Sequence, residues 1–104
     1  MTKKRTIKYH DTLIQALKDP KEAAEYLNSA LEEGEPELFL LALRNVAEAF
    51  GGMSKLSKKS KLNRETLYRM LSKKGNPALD SLTSLLKALG LKINVQIEGR
   101  PSFA

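Results

Sequence analysis

Residues 53–76 read MSKLSKKSKLNRETLYRMLSKKGN, with eight Lys and Arg against a single acid, Glu65. The apolar positions Leu56, Leu62, Leu67, Met70 and Leu71 recur at helical spacing on both sides of a break at residues 61–63. Two short helices joined by a tight turn, each with one face to bury, satisfy that pattern. The charges fall mostly on the opposite faces. The stretch therefore reads as a helix-turn-helix whose free side suits a polyanion, and double-stranded DNA is the expected partner.

The other segments carry charge of both signs. Residues 1–8 hold +4, residues 9–52 hold −6, residues 53–76 hold +7 and residues 77–104 hold +1, within a net charge of +6. Such asymmetry implies two different partners, of which only one is polyanionic. A chain of 104 residues supports one domain with a modest core.

Several function classes fall away on composition. Cysteine is absent, which removes disulfides, thiolate metal sites and a cysteine nucleophile, and the lone His10 cannot build a metal site or a Ser-His-Asp set. No glycine-rich phosphate loop or evident carboxylate pair occurs, so we expect neither an enzyme nor a cofactor or metal. His10 reads as a surface residue. No apolar run of about 18 residues is present to cross a membrane. The start MTKKRTIKYH lacks the apolar segment of a secretory signal, so a cytoplasmic location is expected. Aromatic platforms for single-stranded RNA are scarce, which disfavours that partner.

Taken in order, residues 1–10 form a basic arm in which Ile7 and Tyr9 alternate with polar neighbours and allow a short strand. From Asp11 the pattern turns helical through Leu13, Ile14 and Leu17. Asp19, Pro20 and Glu22 form a start signal: the cap oxygen satisfies an orphan amide, and proline has no amide to lose. The helix that follows runs to about Glu33, burying Ala23, Ala24, Tyr26, Leu27, Ala30 and Leu31, with Gly34 as its stop. Pro36 opens another helix to Phe50, with Leu38, Leu41, Ala42, Val46, Ala49 and Phe50 inward and Gly51-Gly52 at its end. The motif then has a first helix over 53–60 and a second that starts at Asn63, whose side chain can cap the amides of residues 65 and 66. Asn76-Pro77 repeats the cap-then-proline signature and starts a helix to Leu89, with Leu79, Leu82, Leu85, Leu86 and Leu89 inward and Gly90 beyond.

The last element differs. Leu91, Ile93, Val95 and Ile97 alternate with polar residues at a period of two, which predicts a half-buried strand over 91–98. A strand needs a ladder partner. The only internal candidate is Ile7-Tyr9, so antiparallel pairing of 91–98 across a homodimer is expected, with strand addition by a different protein as the alternative. The fold class is thus mainly α: five to six helices with a helix-turn-helix and one C-terminal β-strand pairing across a dimer. The domain spans 11–98, with a helical extension ahead of a motif at 53–72, a basic arm at 1–10 and a tail at 99–104.

The motif and the NPALDSLTSLLKALGLKI that follows it resemble the helix-turn-helix of phage repressors and Cro proteins. The longer string, LKDPKEAAEYLNSALEEGEPELFLLALRNVAEAFGGMSKL with LNRETLYRMLSKKGNP, is similar to addiction-module antidote proteins, the antitoxins of type II toxin-antitoxin pairs. That resemblance covers about residues 9–97. It implies a DNA-binding antitoxin that neutralises a toxin of the RelE/ParE superfamily and represses its own operon. The alternative is a plain helix-turn-helix transcriptional regulator without a toxin.

Carrying the repressor pattern over, Arg64, Glu65 and Arg69 would meet base edges, and Asn63, Thr66, Tyr68, Lys55, Lys58 and Lys59 would hold phosphates. Glu65 has a second reading as a first-turn acid that stabilises its helix, and Tyr68 one as a partner of Leu62. The acid run Glu32, Glu33, Glu35 and Glu37 reads as a solvated junction or, under the resemblance, as a surface facing a basic toxin. Two positions depart from the repressor pattern. Lys61 stands where glycine is common, and Ser60 where an apolar residue is usual, so a turn of different shape and a core contact that is missing or moved are expected.

Overall fold

The structure is a computed structural model. It describes the backbone of residues 2–99 and the side chains from Lys8 onward. The expected tail lies outside them except for Gly99, and so do the side chains of most of the basic arm.

Six helices follow one another among the described residues: α1 (Thr2–Ala16), α2 (Pro20–Glu32), α3 (Pro36–Phe50), α4 (Met53–Ser60), α5 (Arg64–Met70) and α6 (Leu79–Ala88). The cap signal before α2 is realised, since Asp19 Oδ1 accepts from the Lys21 amide at 3.0 Å with Pro20 at the first helical position. A short turn at residues 33–35 folds α2 and α3 into a helical hairpin, tied by a 2.8 Å bond from Asn45 Nδ2 to the Tyr26 hydroxyl. Helix α1 lies against α3, with His10 Nε2 at 3.1 Å from a Glu48 carboxylate oxygen. After the break at Gly51-Gly52, where φ is +129° and +94°, α4 packs on α3, α5 and α6. Only glycine adopts such a pair of angles at little cost.

Helix α3 is therefore the hub: one side meets the N-terminal helices and its end carries α4. The core runs from Leu17, Ala23 and Leu27 through Leu40, Leu43, Val46 and Ala47 to Leu56, Leu67, Met70, Leu71, Leu85 and Leu86. Arg44 braces the two halves by donating from Nη1 to the Leu71 carbonyl.

Four expectations need correction. First, the short strand at Ile7-Tyr9 does not form, because α1 begins at Thr2 and passes through that pair. Lys and Arg are good helix formers, and no breaker stands before Asp19-Pro20, so a two-residue alternation does not hold out against the helix. Second, the inward face of α3 is set by Leu40, Leu43 and Ala47, whereas Leu38 and Leu41 are exposed, as is Leu31 on α2. Residues 38–43 are apolar almost all round, so the period alone cannot select a face.

Third, α6 starts at Leu79 with Ala78 as its cap, not at Asn76-Pro77, and Leu79 is exposed. The chain is still closing against α5 at that point: the Gly75 amide donates to the Ser72 carbonyl at 3.0 Å, and a Cβ on Gly75 would lie 2.2 Å from the Met70 carbonyl oxygen. The helix begins once the chain has cleared this contact. Fourth, residues 91–98 form no strand, and Ile93, Val95 and Ile97 are exposed. With residues 7–9 inside α1, the described residues offer them no ladder partner.

Candidate nucleic-acid interface

Chain chemistry first fixes the turn between α4 and α5. Lys61 sits in the left-handed region at φ +65°, the only described non-glycine residue with positive φ, and its amide donates to the Ser57 carbonyl at 2.9 Å. Lysine thus adopts a left-handed backbone of the kind that glycine takes at little cost. Ser57 Oγ donates to the Leu62 carbonyl at 2.6 Å, while the Leu62 amide donates to Ser60 Oγ at 3.2 Å. The hydroxyl of Ser60 thereby replaces an apolar contact with a hydrogen bond across the turn. Leu62 itself is half-buried.

Left-handed backbone costs a β-carbon-bearing residue about 1 kcal/mol. Lys61→Gly is accordingly expected to raise the urea midpoint by an amount worth about 1 kcal/mol, less any gain in unfolded-state entropy. A lower midpoint would show that the lysine side chain holds the turn.

Asn63 then caps α5, its Oδ1 accepting from the Thr66 amide at 2.7 Å; no bond to the residue 65 amide accompanies it. Leu67 is fully buried and Met70 nearly so, which anchors one face of α5 in the core. Arg64, Glu65, Tyr68 and Arg69 are left exposed on the other, while Thr66 is half-buried. Tyr68 is 54% exposed, so its ring is not stored against the core. Among the described residues, neither Arg64 nor Arg69 pairs with an acid.

The lysines of α4 are arranged differently. Lys55, Lys58 and Lys59 line a groove of about 740 Å³ together with Phe50 and, from α6, Lys87, Ala88, Leu89 and Gly90. No acid lines it. Lys55 Nζ lies 5.2 Å from the centre of the Phe50 ring, a cation–π distance that leaves its outer hydrogens free. The basic stretch is thus two features: the exposed face of α5, and a lysine groove completed by Lys87. Sequence reasoning missed Lys87, and no local signal marks it, because only the packing of α6 on α4 brings it there. Conversely, Lys73 lines a different groove, with Glu33, Glu35 and Glu37.

Among the described residues no cluster of His, Asp or Glu could hold a metal, and no helix is long and apolar enough to cross a membrane. A helix-turn-helix with an exposed, acid-poor basic side is what the geometry provides.

A family model described as "Probable addiction module antidote protein" matches residues 6–97. The chain belongs to this family. An addiction module antidote counters a toxin, so antitoxin function and a toxin partner come with membership. An uncharacterised protein of Haemophilus influenzae is 39% identical over 84 residues, covering 81% of this chain and 86% of that protein. No solved structure matches the antidote chain.

Proposed function

We propose that this antidote protein is a DNA-binding antitoxin of the type II kind, which neutralises a toxin of the RelE/ParE superfamily and represses its own operon through the helix-turn-helix. The observation that carries the DNA half is the face of α5: Arg64, Glu65, Tyr68 and Arg69 exposed together, on a helix held rigid by buried Leu67 and Met70. In the major groove, an arginine can donate twice to guanine O6 and N7, and Glu65 can accept from cytosine N4. Lys55, Lys58 and Lys59, together with Asn63, Thr66 and Tyr68, would hold phosphates and set the register. The chain would act by binding and not by catalysis, in the cytoplasm where operator DNA and toxin are found.

Two copies on a two-fold operator complete the reading. Ile93, Val95 and Ile97, exposed in the single chain, would pair antiparallel with the same residues of the second copy, with Leu91 packed on its own core at the start of the segment. Sedimentation at micromolar concentration is expected to give the mass of two chains; one chain's mass removes the dimer.

The function is tested by expressing the toxin of the module from an inducible promoter with and without this chain. Restored growth, together with a footprint of the purified chain upstream of its own gene, is the expected result. Growth arrest that the chain does not relieve overturns the antitoxin half, and the lack of a footprint overturns the repressor half.

A further inference from the structure

Helix α3 carries more apolar side chains than its core face accommodates. Leu40, Leu43, Val46 and Ala47 are buried, but Leu38 and Leu41, one turn apart, are 41% and 43% exposed, and Leu31 on the last turn of α2 is 56% exposed. Leu38 and Leu41 line a groove of about 560 Å³ with Glu33, Glu35, Glu37, Arg44 and Lys73. Arg44 is occupied with the Leu71 carbonyl. None of the three carboxylates has a cation within ion-pair distance among the described residues, although Lys73 lines the same groove. Clustered exposed leucines on a small domain mark an interaction site more often than scattered ones do.

The charges decide what kind of partner fits. With Arg44 and Lys73 beside them the groove carries a net charge of −1, and its three carboxylates around an apolar floor disfavour phosphates and anionic lipid. The carboxylates attract Lys and Arg. We propose that this groove, at the junction of α2 and α3 and distinct from the basic side, docks a protein surface that presents an apolar side chain flanked by Lys or Arg. The proposal rests on the antitoxin reading for the identity of that partner, and assigns the toxin to the acidic groove and the operator to α5. The apolar centre supplies affinity, and the carboxylates supply orientation and the rate of encounter.

A fluorescent helical peptide of lysine and leucine is the probe, with the same peptide carrying glutamate in place of lysine as its control. The full chain is expected to bind the first and not the second. The pair Leu38→Asp and Leu41→Asp, and separately the triple Glu33→Gln, Glu35→Gln and Glu37→Gln, should each weaken binding about ten-fold. The milder pair Leu38→Ala and Leu41→Ala keeps the leucine test valid if the aspartates lower the melting temperature. Binding that ignores the leucine variants, equal binding of the glutamate peptide, or leucine variants that convert a dimer to a monomer in sedimentation would each overturn the proposal. A chain that binds the peptide but does not restore growth removes the antitoxin reading and leaves the groove; one that restores growth but ignores the peptide removes the groove.

Discussion

Leu67→Ala is expected to lower the stability of the domain by about 3 kcal/mol, within the range of about 2 to 5 kcal/mol found for a leucine truncated in a closed core. Leu67 has no exposed surface, and it belongs to the same core cluster as Leu56, Met70 and Leu71, where α5 packs on α4. Three constraints keep the site from collapsing around the void. Asn63 caps the start of α5, the Ser57 and Leu62 bond clamps the turn, and Arg44 holds the Leu71 carbonyl. The lost contacts therefore stay lost. In urea denaturation the midpoint should fall with an unchanged slope, and operator binding should fall with the folded fraction. Leu38→Ala on the exposed side of α3 serves as the comparison and should stay within about 0.5 kcal/mol of the parent. A loss below about 1 kcal/mol at Leu67 would mean that α5 is not anchored through that side chain.

The same residue shows where the sequence was legible. At Leu67 and Met70, apolar positions three apart share a short helix with Arg64, Glu65 and Arg69, so the period selects one face and the structure agrees. The helix boundaries at Asp19-Pro20, at Gly51-Gly52 and at Asn63 were equally readable, because each rests on local chemistry: a cap oxygen, a proline without an amide, a glycine at positive φ. Local chemistry also misled. Asn76-Pro77 carries the cap signature, but the closure of Gly75 against the Met70 carbonyl postpones the helix to Leu79. That closure depends on backbone approach, which has no residue-level pattern beyond a glycine.

Alternation at residues 91–98 is a pattern of two, yet a strand is a property of two segments, and with the candidate partner taken up by α1 none forms among the described residues. For α3 the difficulty was an excess of signal. A segment apolar on nearly every side satisfies several registers at once, and contact with α2 decided between them. The leucines left outside by that decision are those that line the acidic groove. For the candidate interface, the side chains of α5 were legible because they share a short helix with its buried anchors. The grouping of Lys87 with Lys55, Lys58 and Lys59 was not, since it joins positions on two helices that only tertiary packing brings together.

On the proposed DNA-binding function, Arg64→Ala is expected to cost about 1 to 3 kcal/mol of operator affinity, roughly a five- to 150-fold loss, and to relax the preference at one base pair. Arg64 opens α5 directly after the Asn63 cap, and the first turn is the part of a recognition helix that reaches furthest into the major groove. The guanidinium is exposed and pairs with no acid among the described residues, so no internal bond offsets the loss. Lys58→Ala and Lys87→Ala should behave otherwise. Both lysines line the α4–α6 groove, where a contact would be to phosphate, so operator and random DNA should weaken alike and the salt slope should fall by about one. Binding measured on both DNAs across a range of salt separates the cases. Equal losses on operator and random DNA for Arg64→Ala would move it from base reading to phosphate holding. An unchanged salt slope for Lys87→Ala would place the groove off the DNA path and leave α5 alone to carry the interface.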